Sequence, residues 1–281
     1  MSLFWFQLCN ELRKMFARKR TYIGFGAFLL MEGLVLFMIN LPGPRGHFKR
    51  MIEQNGYAFD QYFSGLTLGL LMVMWTTVLL GALYLSLVAG DVVSKEVEEG
   101  TMRMTLCRPV SRGRIIALKY VACVIYTFAL VVFIGGTALI AGLCYRGPGG
   151  LFVFAPLEGI FALHEQGPGM ARYAGGILLL AMSMLTVTSL GFALSCFNMK
   201  PAAATIVTLS VVFLDSIFRN IPYFENIKSW FITTHIGGWL QIFVTYIPWW
   251  NIVEDYAYLL ALDATCVVIA LAVFQSRDFK G

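Results

Sequence analysis

Gly90-Asp91-Val92-Val93-Ser94-Lys95-Glu96-Val97-Glu98-Glu99-Gly100-Thr101-Met102-Arg103 runs on through Cys107-Arg108-Pro109-Val110-Ser111-Arg112-Gly113-Arg114 to Lys119. This hydrophilic island lies between two long apolar stretches, Ser64 to Ala89 and Tyr120 to Leu143. Each is long enough to cross roughly 30 Å of hydrocarbon as a helix. The island is therefore expected to join two membrane spans, and its charges are too ordered for a plain tether.

Reading outward, the whole chain fits that frame. Of 281 residues 58% are hydrophobic and only 13% charged, whereas about a quarter of a soluble domain is charged. The charges are clustered, leaving six apolar stretches: Tyr22 to Leu41, Ser64 to Ala89, Tyr120 to Leu143, Tyr173 to Phe197, Ala202 to Phe218 and Tyr256 to Phe274. They are too long and too continuously apolar for the strands of a membrane barrel, so helices must satisfy the backbone in lipid. The expected fold class is all-α integral membrane with six transmembrane helices. Ahead of the first span, Phe4, Trp5, Leu8, Cys9, Leu12, Met15 and Phe16 recur at helical spacing opposite Gln7, Asn10, Glu11, Arg13, Lys14 and Arg18. Residues 1–20 are thus expected as an amphipathic helix in the membrane surface, preceding an uncleaved span.

Six spans place both termini on one side. Fourteen of the 21 basic residues fall there, so that side is expected to be cytoplasmic and the protein to lie in the cell inner membrane, multi-pass. The opposite segments include Gly147-Pro148-Gly149-Gly150 and Gly167-Pro168-Gly169, which bracket a mixed apolar stretch expected to lie on the membrane. Residues 219–255 hold Trp230, Trp239, Trp249 and Trp250 and are expected as interfacial or partly re-entrant helices, or as a plain aromatic belt.

Chemistry on the chain is sparse. The six cysteines form no C-x-x-C pair, the methionine pairs follow no metal-ligand spacing, and His164 and His235 stand alone, so no metal site is indicated. The phosphate loop G-x-x-x-x-G-K-[ST] is absent, and no nucleophile and base pair marks an intramembrane enzyme. The chain is not expected to be an enzyme or to hold a cofactor, and nothing points to nucleic acid. Three acids lie within spans, Glu32, Asp215 and Asp263. Asp215 is near a span end and within reach of water; for Glu32 and Asp263 two readings stand, a polar substrate path or a neutral side chain bonded to a neighbouring helix.

Within the island the acidic residues come first and the basic ones last. Gly100-Thr101 offers a bend, Pro109 ends any continuous helix, and Ser111 offers an N-cap for the next one. A short helix pair with a carboxylate cluster and an arginine cluster suits docking onto a soluble partner, with charge setting register. On charge alone a solvated loop fits as well.

The string from Ser94 to Arg112 resembles the signature of permease subunits of type-2 ABC transporters: a Ser, an acidic run, Gly-Thr, a basic residue, an apolar stretch, Arg-Pro and Ser-Arg between the second and third spans. The resemblance implies a single permease domain over residues 1–281, with a cytoplasmic coupling helix in the 90–119 loop and an aromatic-rich extracytoplasmic segment at 219–255. It implies docking of a separate ABC-type ATP-binding subunit, on which ATP and Mg would reside. Glu96, Glu98 and Glu99 would be the acidic contacts, Gly100 and Thr101 the turn, and Arg103, Arg108, Pro109 and Arg112 the basic half. It further implies a second permease copy in the bilayer and a smaller contact at Asn198-Met199-Lys200-Pro201. The expected function is coupling ATP hydrolysis on the partner to export; the alternative is a scaffold or force-transmitting protein that docks a cytosolic partner without moving a solute.

Overall fold

The computed structural model describes residues 3–17, 19–107 and 110–277. Helices α1 (Leu3–Ala17) and α2 (Lys19–Ile39) meet at an elbow, where the Thr21 hydroxyl donates to the Met15 carbonyl at 2.7 Å. Two helices, α3 (Pro42–Gln54) and the single turn α4 (Phe59–Tyr62), follow at the far face of the bundle. A second long helix is made of α5 (Gly65–Thr76), a π-helical turn (Thr77–Gly81) and α6 (Ala82–Glu98). The short α7 (Thr101–Leu106) leads to α8 (Arg112–Arg146), then α9 (Gln166–Cys196), α10 (Pro201–Arg219), the single turn α11 (Ile232–Ile236) and α12 (Trp249–Ser276).

Among the described residues, six helices are long and apolar enough to cross a membrane: Thr21–Ile39, Gly65–Glu98, Arg112–Arg146, Gln166–Cys196, Pro201–Arg219 and Trp249–Ser276. They coincide with the six apolar stretches of the sequence, and the second, third, fourth and sixth run well past them at the charged ends. The island is accordingly not a loop. Its acidic half continues the second span as far as Glu98, and its basic end is the first turn of the third.

The central element is α9, which packs on α6, α8, α10 and α12, while α5 packs on α8. Lipid and helix surface are equally oily, so close backbone approach and hydroxyl pairs hold such a bundle rather than hydrophobic burial alone. Both devices are present. A Cβ on Gly65 would lie 2.7 Å from the Gly142 carbonyl group, so α5 and α8 touch backbone to backbone. Hydroxyl pairs join α8 to α9 (Thr127 to Thr188, 2.8 Å; Tyr120 to Ser189, 2.9 Å), α9 to α12 (Ser183 to Tyr256, 2.9 Å) and α6 to α8 (Tyr84 to Tyr126, 2.9 Å).

Strands β1 (Leu151–Ala155) and β2 (Ile160–His164) form an antiparallel hairpin with Leu151 opposite His164 and Ala155 opposite Ile160. The mixed apolar stretch between the two Gly/Pro turns is thus a hairpin that packs on α5. The stretch reads as surface-seeking because its partners are remote in sequence: the Phe152 N–H donates to the Thr67 hydroxyl at 2.8 Å, and Ser64, the N-cap of α5, donates to the Gly150 carbonyl at 2.6 Å. Leu151, Phe152 and Val153 are fully buried.

Between α10 and α12 the chain forms 3-10 turns (Pro222–Trp230 and Gly237–Phe243) on either side of α11, and residues 249–255 are the first turns of α12. Asp215 is not simply solvated, as its place near a span end suggests. It accepts from the Ile232 and Thr233 amides at 3.1 and 2.7 Å and from the Thr233 hydroxyl at 2.6 Å, so it caps α11. Arg219 donates to the Thr233 carbonyl at 2.8 Å and pairs with Glu158 of the hairpin turn. Arg172 donates to the carbonyls of Ile242, Val244 and Thr245, closing the last 3-10 turn.

Candidate functional site

The terminal face, where both chain ends meet the island, is built around Lys119. This side chain sits about two turns inside α8 and is only 2% exposed, far below the norm for lysine. It lies 2.8 Å from Glu96 at the end of α6 and 3.0 Å from Glu11 on α1. Lys14 completes the square, 2.7 Å from Glu11 and 3.7 Å from Glu96. Burial works to raise the Glu11 pKa, but Lys119 and Lys14 together outweigh it and hold the carboxylate below its ordinary value. Two carboxylates and two ammonium groups thus tie three helices at one point.

The other root of the island is held by arginines. Arg112 donates to the Gln275 and Arg277 carbonyls at 3.1 and 2.8 Å, so it serves the C-terminal end of α12. Arg277 in turn donates to the Cys196 and Phe197 carbonyls at 3.2 and 3.1 Å and to Asn198 Oδ1 at 2.6 Å, capping α9. Ser111 accepts from the Arg114 amide at 3.4 Å and caps α8.

Between these roots the chain turns sharply. Helix α6 ends at Glu99-Gly100, where the Gly100 N–H bonds the Val97 carbonyl at 3.1 Å and φ is +71°, a conformation that favours glycine. The Thr101 hydroxyl donates back to the Glu96 carbonyl at 3.2 Å. Helix α7 is then pinned by Met102, 1% exposed, and presents Met104 at 68% exposure.

The residues expected at a partner contact therefore divide. Glu98, Glu99 and Gly100 are exposed at the turn and Thr101 lies beside them. Glu96 is turned inward, its acid consumed by Lys119, and Arg112 is engaged with α12. Arg108 and Pro109 lie outside the described residues, as does the side chain of Arg103. Sequence reasoning missed Glu11, Lys14, Lys119 and Arg277; a lysine seven residues inside an otherwise apolar helix is the one signal that could have exposed the first three.

Glu32 and Asp263 both face protein rather than lipid. The Thr137 hydroxyl lies 2.9 Å from Glu32 Oε1. The two are not brought together: Glu32 is on α2 against α8, and Asp263 on the buried stripe of α12 that also carries Tyr256, Leu259, Cys266, Ala270 and Phe274.

At the far face, His235 lies between two acceptors, Asp255 Oδ1 at 2.7 Å from Nδ1 and the Ser229 carbonyl at 2.8 Å from Nε2. Asp255 Oδ2 also accepts from Gln241 at 2.8 Å. With acceptors on both sides, the protonated ring can donate from both nitrogens. The hydrogen bond to Asp255 outweighs burial and holds His235 above its ordinary value of 6.5. A group whose folded pKa is raised stabilises fully below the unfolded value and loses that contribution as pH rises through the folded one. Thermal stability of the purified protein is expected to fall as pH is raised from 6.5 into the alkaline range. His235→Gln should flatten this slope; equal slopes in the two proteins would remove the imidazolium latch.

The arrangement is that of a six-span helical membrane protein with a rigidly rooted, partly apolar helical turn projecting from its terminal face. Residues 11–273 match the family model described as ABC-2 family transporter protein. The chain belongs to that family, whose members supply the membrane-spanning permease of a transporter. It is also similar to a protein of Bacillus subtilis (strain 168) described as "Uncharacterized protein YhcI", 26% identical over 176 residues that cover 50% of this chain and 55% of the relative. The chain thus spans about half the length of this curated relative.

Proposed function

We propose that this chain couples ATP hydrolysis on a separate ATP-binding subunit to outward movement of a substrate across the cytoplasmic membrane, with both termini cytoplasmic. The observation that carries this reading is the turn from Glu98 to Met104. Its Glu98, Glu99, Gly100 and Met104 are exposed, it is acidic with an apolar tip, and it is rooted on one side by Lys119 and on the other by Arg112. A surface fastened at both roots passes a push on to α1, α6, α8 and α12 together, which a tethered loop cannot do. Charge would set the register of the partner and Met104 would supply buried contact area.

In this reading Arg103, Arg108 and Pro109 complete the docking surface, and Asn198 to Pro201, fastened by Arg277, forms a second contact beside it. Two permease copies pair with two ATP-binding subunits, which carry the ATP and Mg. Glu32 and Asp263 are polar points on the side of the path that opens as the helices move. The test is recovery of the tagged full-length chain from its native membranes: an ATP-binding subunit that splits ATP should remain bound to it through purification. A chain that retains no such subunit under conditions where its fold is intact would overturn the reading.

A further inference from the structure

Helix α3 lies across the far ends of the first two spans. It starts three residues after α2 ends, and its Phe48 meets Phe63, two residues ahead of α5, with ring centroids 5.8 Å apart. Phe48 also contacts Phe152 of the hairpin at 6.4 Å, and Ile52 is fully buried. The helix is therefore held where the spans end, which in a bilayer is the headgroup layer. Arg45, Lys49 and Arg50 are exposed along it. Other cations of this face are engaged within the protein: Arg146 pairs with Asp60 at 3.4 Å, Arg172 closes the last 3-10 turn, and Arg219 pairs with Glu158. Arg45 has no carboxylate partner among the described residues, and Arg50 donates to the Gly46 carbonyl of its own helix at 3.3 Å. Lys49 lies 3.8 Å from Glu53, with both side chains about half exposed.

Between α3 and α4 these charges meet in an open cleft of about 520 Å³, lined by Arg45, Lys49, Glu53 and Asp60 together with Phe59. That is the volume of a small-molecule site. Two positive and two negative side chains leave the lining with no net charge, so a simple anion is repelled by the carboxylates as it is drawn by the cations. A ligand bearing both signs meets both pairs. Arg45 offers a planar fork to a phosphate, and Lys49 adds further N–H donors. Glu53 and Asp60 keep acceptor lone pairs beyond their long contacts with Lys49 and Arg146, and these suit an ammonium with N–H groups to give. A quaternary ammonium has none. Exposed ion pairs contribute little, so such a ligand takes over the Lys49 and Glu53 charges at small cost. We propose that the cleft holds the headgroup of a phosphatidylethanolamine from the adjoining leaflet, with its phosphate on Arg45 and Lys49 and its ammonium on Glu53 and Asp60. The inference stands on this local chemistry and does not depend on the docking reading of the terminal face.

The test is binding of short-chain phosphatidylethanolamine, phosphatidylcholine and phosphatidylglycerol to the delipidated full-length chain in detergent, read by equilibrium titration and thermal unfolding. Phosphatidylethanolamine should bind saturably and raise the melting temperature by about 3 °C, since a ligand that binds only the folded state stabilises it. The other two lipids should bind about tenfold more weakly, the equivalent of one lost charged contact. Glu53→Gln should weaken phosphatidylethanolamine about tenfold and leave phosphatidylcholine unchanged, whereas Arg45→Gln should weaken both. Equal binding of phosphatidylethanolamine and phosphatidylcholine overturns the site, as does wild-type phosphatidylethanolamine binding by both variants. Tighter binding of phosphatidylglycerol also overturns it and makes α3 a plain basic surface for anionic lipid. Free phosphoethanolamine that binds as tightly as the lipid overturns the lipid source and makes the cleft a site for a solute. If either variant does not fold, the ranking of the three lipids on the wild type decides the matter.

Discussion

Lys119→Met is expected to destabilise the protein by about 3–5 kcal/mol, the usual cost of removing one partner from a buried ion pair. The reason is less the lost attraction than what remains. Glu11 and Glu96 would face one another with only Lys14, which is half exposed and 3.7 Å from Glu96, to neutralise them. The packing of the aliphatic stem is preserved by methionine, so the loss reports the charge. Adding Glu96→Gln to Lys119→Met should recover much of the stability, because a neutral amide no longer needs the ammonium group. The measurement is thermal unfolding of the purified chain, with the single and double variants compared as a cycle. A melting temperature unchanged by Lys119→Met would show that the four-residue cluster is not what holds α1 to α6 and α8.

Reversing the exposed Glu98 and Glu99 together with Arg103 in charge should leave stability within about 0.5 kcal/mol of wild type, as substitutions outside the core usually do. The same changes should lower partner-dependent ATP turnover about tenfold or more, since like charges placed across a docking surface oppose both encounter and register. Glu96→Lys provides the contrast: it should damage the fold, because that carboxylate belongs to Lys119 and not to the surface. Wild-type turnover after the triple reversal, in a complex that still assembles, would remove the coupling role of the turn.

What the sequence makes legible here is set by how local the responsible forces are. The six spans are visible because lipid imposes one requirement on every residue of a long run, and apolar continuity answers it locally. Gly100 is visible for the same reason, since a left-handed backbone is a property of one residue. The division of the acidic run is not visible. Glu96, Glu98 and Glu99 look alike in a string, and only the rotation of α6 against Lys119 separates an inward acid from two outward ones. The hairpin is hidden because its hydrogen bonds run to Thr67 and Ser64, some 85 residues away. Arg112 reads as a surface cation until the carbonyls at the end of α12, more than 160 residues later, are placed beside it.

The wide turn at Thr77–Gly81 acts on all of this from a distance. It carries one residue more than an α-helical turn would, and each residue advances a helix by about 100°. On one side of it α5 must aim Gly65 and Gly69 at the backbone of α8; on the other, α6 must aim Gly90 at Thr205 of α10 and Glu96 at Lys119. An uninterrupted helix could meet only one of these demands. The turn is a phase offset between the two halves of the span, and if it migrated along the helix it would rotate the inner half about its own axis without unwinding it. Under the proposed coupling role of Glu98 and Glu99, such a rotation would enter the bundle as torsion rather than as a piston stroke.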